Sequence, residues 1–379
     1  RGLMLIATVF VARILGRVAY GELGMIQSTV GMFGVFAGFG LGLMATKYVA
    51  EYRQEDPERA GRIVGLSFAT AALTGGLIAL GLVRFAPWLA AHTLDAPHLA
   101  PTLRIGALLL FFGALNGAQT GALAGLEAFK TIAHVNAAVG LVSFPVLSAG
   151  AWFGGLTGVV WALAANLAFG WLLNHLALRR EARRHRIPLT CRHVRQELPT
   201  LWRFALPATL SGVVVAPVHW VCRALLANQP SGYSELGILT AALVFQNLLL
   251  FIGYTMSAPL LSMISSAGRD ISERLKTANV LSTWILGTAV AVPLLCFPEA
   301  AQWAFGRDYA SHAFRVTFAL VVLCAAVVTF QAGLGRALAA NALLWWGFGS
   351  NAVWAVVYVV SALFLVRWGA PGLATAVTT

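Results

Sequence analysis

The chain has 379 residues, of which 59% are hydrophobic and only 11% charged, with a mean hydropathy of +0.78 and a formal net charge of +12. Soluble proteins carry about 25% charged residues, so a water-soluble fold would leave much of this apolar surface wet, and the bilayer is the expected solvent. The basic excess does not point to nucleic acid, because no stretch sets Lys and Arg on a folded polar face among aromatic platforms.

Apolar runs of about 20 residues mark spanning helices. In chain order they fall at Leu3 to Ala12, Met25 to Val49, Ile63 to Leu82, Ile105 to Leu126, Ile132 to Phe153 and Val159 to Leu178. A basic connection follows at Arg179 to Arg186, and the order then repeats. The second set falls at Phe204 to Leu226, Leu239 to Met263, Ala278 to Phe297, Ala313 to Gln331, Leu343 to Val366 and a last run from Pro371. The expected architecture is an all-α integral membrane protein of about 12 spans. Its domains are a six-helix lobe at 1–178, a linker at 179–199 and a second six-helix lobe at 200–379. The chain opens at Arg1 inside an apolar run and stops at Thr379 just after another begins, so the first and last spans read as clipped.

The two sets are related in sequence. Tyr20-Gly-Glu-Leu-Gly24 returns as Tyr233-Ser-Glu-Leu-Gly237, 213 positions on, and Gly155 to Ala162 realigns with Gly369 to Ala376 at an offset of 214. Periods of a few tens of residues would mean a solenoid, whereas duplicated sets of many spans are what solute pathways are built from. Most of the 26 Lys and Arg fall in loops after even-numbered spans, so the positive-inside rule puts linker 179–199 in the cytoplasm.

Charges within or next to spans mark pathways by default. Arg13 and Arg17 follow span 1, and Arg223 lies near the end of span 7, the corresponding span of the second lobe. Two readings stand for Arg13 and Arg223. A guanidinium fork can hold phosphate oxygens in a cavity, or it can snorkel to the outer headgroups; Arg17 is the weaker cavity candidate. Glu22 and Glu235 occupy one repeat position in the first turn of a span, which suits a helix-dipole role, with a proton or cation site as the alternative. Tyr20, Tyr233, Gly24 and Gly237 are read as shaping the turn. Asn116, Gln119 and Thr120 share a helical face of span 4, and Gln246, Asn247, Asn166 and Gln331 add neutral hydrogen-bonding groups. Such a lining suits sugar hydroxyls, although interhelical amide bonds are common packing devices in membranes. His219 and Trp220 near Arg223 could stack on a sugar face, against the reading of Trp220 as an interface-belt residue.

Prolines at 145, 207, 217, 259 and 293 interrupt spans, and span 7, with Pro207, Pro217 and Ser211-Gly212 between them, is the candidate bending element. No Gly-x-x-x-x-Gly-Lys-Ser/Thr phosphate loop is present. The four cysteines, 191, 222, 296 and 324, have no Cys-x-x-Cys spacing, and neither metal nor cofactor is indicated.

Arg13-Ile-Leu-Gly16 with Tyr20-Gly-Glu-Leu-Gly24, Gly38-Phe-Gly-Leu-Gly42 leading to Lys47-Tyr-Val-Ala-Glu51, and Leu206-Pro207-Ala-Thr-Leu-Ser211-Gly212 resemble the polysaccharide-repeat-unit (O-antigen) flippases. These belong to the multidrug/oligosaccharidyl-lipid/polysaccharide (MOP) superfamily, beside the lipid II flippases and the multidrug and toxin extrusion (MATE) transporters. The resemblance implies two six-helix lobes around a central cavity in the inner membrane. It also implies alternating access and translocation of an undecaprenyl-diphosphate-linked glycan, with glycan polymerase or ligase machinery as candidate partners. Family cationic residues that serve the diphosphate carry over onto Arg13 and Arg223. Coupling to a proton or sodium gradient is compatible with this reading. A cation-coupled drug exporter of the same fold would favour a buried carboxylate in the first lobe, whose span interiors offer only Glu127, at a helix end. A membrane glycan polymerase or ligase would need a sizeable periplasmic loop, which the short odd loops do not supply.

Overall fold

The computed structural model describes residues 2–38, 40–189, 197, 213–255, 281, 284–285, 287–340 and 344–378. Among them every regular element is helical. In chain order these are α1 (Gly2–Gly38), α2 (Leu41–Glu55), α3 (Pro57–His92), α4 (Ala100–Gly125), α5 (Phe129–Arg184), α6 (Val215–Ala227), α7 (Gly232–Thr255), α8 (Gly287–Cys296), α9 (Pro298–Phe305), α10 (His312–Ala340), α11 (Leu344–Leu365) and α12 (Gly369–Thr378). Seven helical stretches of the described residues are long and apolar enough to cross a membrane. Two of these are too long for one crossing. Phe129–Arg184 has 56 residues, about 84 Å at 1.5 Å per residue against a hydrocarbon core of about 30 Å.

The excess length is resolved by breaks at left-handed glycines. Gly155 (φ 53°) divides α5, and Gly16 (φ 73°) divides α1. The repeat is visible here, because Gly369, the partner of Gly155, also has positive φ (73°) and opens α12. Such φ values cost an L residue with a Cβ about 1–2 kcal/mol, which is why glycine holds both positions.

By backbone proximity the chain forms two compact units, one of Arg1–Leu15 and Met25–Trp220, the other of Gly16–Gly24 and Val221–Thr379. In the first, α4 packs on α2, α3 and α5. Its apolar core joins Met44 and Val49 of α2, Ile63 of α3, Leu115 and Leu123 of α4 and Leu178 of α5. The start of α3 follows from Asp56-Pro-Glu58: the Asp56 carboxylate accepts the Arg59 N–H at 2.9 Å, Pro57 takes the first position and Glu58 sits in the positive first turn. On the opposite face Leu73, Leu77 and Leu80, spaced four and three apart, form an exposed apolar stripe. Water would penalise that stripe; hydrocarbon does not.

In the second unit α10 packs on α7 and α12, and α12 on α11. An aromatic core fills it: Phe245 meets Phe318 edge-on at 5.0 Å between ring centroids, and Phe305, Tyr309 and Phe314 continue the stack.

Candidate functional site

The duplicated motif packs against itself. In the second unit the Arg17–Gly24 stretch of α1 crosses the first turns of α7. A Cβ on Gly21 would run into the Tyr233 carbonyl, and one on Gly237 into the Arg17 carbonyl. Glycine at both places lets the backbones touch, which accounts for the motif without a ligand. Tyr20 is buried with its ring 6.3 Å from that of Phe305. Beyond the end of α9, burial, with the Asp308 carboxylate second, pushes the Tyr309 phenol above its ordinary value. Gly24 lies against the Thr240 side chain, and Tyr233 is half-buried beside the crossing.

Two charged residues tie this crossing to α12. Arg17 Nε donates to the Ser234 carbonyl at 3.0 Å, and its Nη2 meets Glu235 Oε1 at 2.8 Å. The other carboxylate oxygen of Glu235 accepts the Ala370 N–H at 2.9 Å. Glu235 stands in the first turn of its own α7 and also accepts from the N-terminus of α12. The Arg17 guanidinium, expected as the weaker cavity candidate, is engaged here by carboxylate and carbonyl. Glu22 is half-buried.

The remaining candidates stand on α1, α6 and α7. Arg13 is exposed on the first arm of α1. Arg223 is half-buried on α6, within electrostatic reach of Tyr358, whose hydroxyl shares a hydrogen bond with the neighbouring Cys222 thiol. His219 is half-buried on the same helix; Gln246 is half-buried and Asn247 exposed on α7. Trp220 is on the same helix as Arg223. It is buried in the first unit, its Nε1 donating to Thr29 Oγ1 at 3.0 Å. Pro207, Ser211-Gly212, Pro259 and Cys191 lie outside the described residues.

The amides of α4 turn inward. Asn116 Nδ2 donates to the Leu167 carbonyl at 2.9 Å, and its oxygen accepts from Asn174 Nδ2 at 3.0 Å, which joins α4 to α5. Asn166 donates likewise to Ser143 within α5 at 2.8 Å. Gln119 is completely buried. Of the two amides expected to meet substrate, Asn116 is bonded to α5 and Gln119 is enclosed in the first unit.

Sequence reading missed a second polar layer at the linker end of that unit. Glu181, buried, accepts from Thr131 at 2.8 Å and from Arg184 at 3.2 Å. Glu197, also buried, lies 3.2 Å from Arg59 and 3.6 Å from Arg62. Arg59 in turn covers the Tyr52 ring at 4.1 Å. Glu127, the one carboxylate weighed for an exporter, is exposed and paired with Arg53 at 2.7 Å. The signal available was charge pairing across short loops, which fixes neither partner nor burial. Among the described residues no group of His, Cys, Asp and Glu could hold a metal ion.

Comparison with known proteins places this arrangement. A family model described as "Polysaccharide biosynthesis protein" matches residues 1–265. The chain is 26% identical over 337 residues to the EPS I polysaccharide export inner membrane protein EpsE of Ralstonia nicotianae, covering 86% of this chain and 75% of that protein. It is 26% identical over 181 residues to the protein of the same name in Ralstonia solanacearum, covering 46% and 41%. Among solved structures it superposes on an inward-facing MATE family transporter of the MOP superfamily, with TM-score 0.76 and 14% identity over 99% of this chain and 90% of that one. It also superposes on lipid II flippase MurJ in an inward closed conformation, with TM-score 0.75 and 16% identity over 100% and 82%. A multi-pass helical membrane chain with the MOP fold, matched by the family model over most of its length, belongs to the polysaccharide biosynthesis protein family.

Proposed function

We propose that the chain is a flippase of the bacterial inner membrane that carries an undecaprenyl-diphosphate-linked oligosaccharide from the cytoplasmic to the opposite face by alternating access. The duplicated halves act as two six-helix lobes, residues 1–178 and 200–379, joined by a cytoplasmic linker at 179–199. Family membership, the MOP fold and the naming of the Ralstonia relatives as polysaccharide export proteins of the inner membrane support this reading.

One observation carries the substrate class: Arg223 stands half-buried, the one cationic Arg or Lys on a mostly apolar helix that opens Val215-Ala-Pro-Val218. A guanidinium kept there at a desolvation cost suits a partner with dense negative charge, and a diphosphate takes its fork bidentately. Arg13 supplies a second cation. Gln246, Asn247 and His219 offer neutral hydrogen bonds for sugar hydroxyls. Arg17, Asn116 and Gln119 hold structure instead. An ion gradient drives the cycle, and a glycan polymerase or ligase takes the product.

The test is substitution of Arg13 and Arg223 by Ala in cells that depend on the chain for surface polysaccharide. Loss of the polymer with normal membrane insertion is expected for both variants, and Arg223→Lys recovers only part of it because a point charge lacks the fork. Full polymer from both alanine variants would discard the diphosphate site.

A further inference from the structure

The exposed stripe of α3 does not end in leucine. Leu73, Leu77 and Leu80 are followed at helical spacing by Arg84 and Trp88, and at 3.6 residues per turn all five fall within an arc of about 80°. Arg84, Phe85, Pro87 and Trp88 are all exposed, and together they line one open cavity of about 420 Å³. Arg84 forms no ion pair or hydrogen bond among the described residues. Trp88, in contrast, is braced. Its ring stacks on His92 at 5.5 Å between centroids and 15° between planes, and His92 Nδ1 lies 3.1 Å from the Trp88 carbonyl.

The depth of this cavity follows from α3 itself. The helix starts at the linker end of the first unit, where Gly61 lies against the Pro188 carbonyl, so its last turns stand at the opposite end. The apolar run Ile63 to Leu82 has 20 residues, about 30 Å of helix, which matches the hydrocarbon thickness. Arg84 stands two residues beyond it, at the level of headgroups, yet still on the face that the leucines give to acyl chains. Trp88, one turn further, is at the level where interfacial aromatics sit. Pro87, inside the helix, has no N–H to give the Val83 carbonyl beside Arg84.

The cavity therefore offers a guanidinium, an indole N–H, a carbonyl short of its helical donor and apolar walls. An acyl chain alone leaves the charge unmet. A zwitterionic headgroup brings its own cation to Arg84, and inorganic phosphate gains nothing from the walls. An anionic glycerophospholipid meets every element: its phosphate accepts the guanidinium fork, a headgroup hydroxyl donates to the carbonyl, and its chains lie on the leucines. We propose that the end of α3 away from the linker binds such a lipid, of the phosphatidylglycerol class, with its phosphate on Arg84 beside Trp88 and its chains along Leu80 and Leu77. The bound lipid fixes the depth of α3 in its leaflet. The site depends on the membrane fold of one unit and not on the identity of the transported substrate.

Photo-crosslinking of the full purified chain in vesicles tests it. The probes are phosphatidylglycerol and phosphatidylcholine that carry the same diazirine near the head of one acyl chain, and the readout is label on the α3 peptide that contains Phe85 and Trp88. Labelling by phosphatidylglycerol is expected to exceed that by phosphatidylcholine about fivefold, the preference that one basic residue at an anionic surface confers. Arg84→Gln, at an exposed position, keeps the cooperative melting transition and brings the ratio to about one. Lys130→Gln removes an equal charge from the start of α5, at the linker end, and leaves the ratio unchanged. Equal labelling by the two lipids in the native chain, or an excess that survives Arg84→Gln, overturns the proposal. A ratio lowered as much by Lys130→Gln would assign the excess to diffuse charge, and one abolished by added inorganic phosphate would assign the site to a soluble anion; either overturns the lipid site.

Discussion

Arg17 and Glu235 form an ion pair at 2.8 Å that joins the two copies of the repeated motif, and the same Glu235 carboxylate accepts the Ala370 N–H in the first turn of α12 at 2.9 Å. The side chains are about one-quarter and one-fifth exposed, so water screens the pair only in part. One carboxylate thus fixes three helical segments that are distant in sequence.

This pair is expected to behave as a coupled unit. Glu235→Gln keeps an acceptor for Ala370 but loses the charge, whereas Glu235→Ala loses both bonds, so the alanine variant melts lower. Charge-assisted hydrogen bonds contribute about 1.5–3 kcal/mol each. A double-mutant cycle of Arg17→Ala with Glu235→Ala in detergent should return a coupling of about 1–2 kcal/mol. Additive effects on unfolding would show that the contact contributes nothing.

The two left-handed glycines of the repeat should differ in tolerance. Ala at either position meets a backbone penalty of about 1–2 kcal/mol. A Cβ at Gly155 finds open space, but at Gly369 it collides with the Glu235 carboxylate. Gly369→Ala is therefore expected to lower the melting temperature more than Gly155→Ala, and to lose most of its extra cost in a Glu235→Ala background.

Asn116 is expected to act on folding rather than on substrate. Asn116→Leu removes both links to α5 and leaves Asn174 without its acceptor, for a loss of about 0.6–2 kcal/mol. Gln246→Leu and Asn247→Leu should leave melting nearly unchanged and impair transport. Normal stability of Asn116→Leu with weakened substrate binding would reverse the assignment.

The sequence reading located elements better than ends. Spans 3 to 6 fall inside α3, α4 and α5, yet α3 begins at Pro57 rather than Ile63, because hydropathy marks the part of a helix in hydrocarbon and the Asp56-Pro-Glu58 cap lies outside it. The repeat at Tyr20 and Tyr233 was legible, whereas its Gly24 and Gly237, read as shaping a turn, lie inside α1 and α7. The partner of Glu235 was not, since Ala370 lies 135 residues away with no local signal. Arg17 looked like Arg13 in sequence, two basic residues a turn apart; the break at Gly16 separates them, and the two fall in different units. Gln119 was closer to legible. Its spacing from Leu115 and Leu123 already set it on the apolar face of α4, and the shared face with Asn116 drew attention the other way.

Transport of a lipid-linked glycan is most directly tested in vesicles that contain the purified chain and an undecaprenyl-diphosphate oligosaccharide, by following the share of sugar that a membrane-impermeant lectin or glycosidase can reach. The account predicts that the chain speeds exposure of the inner-leaflet sugar well above protein-free vesicles and that Arg223→Ala removes most of the gain. Exposure at the protein-free rate, under imposed proton and sodium gradients alike, would contradict it.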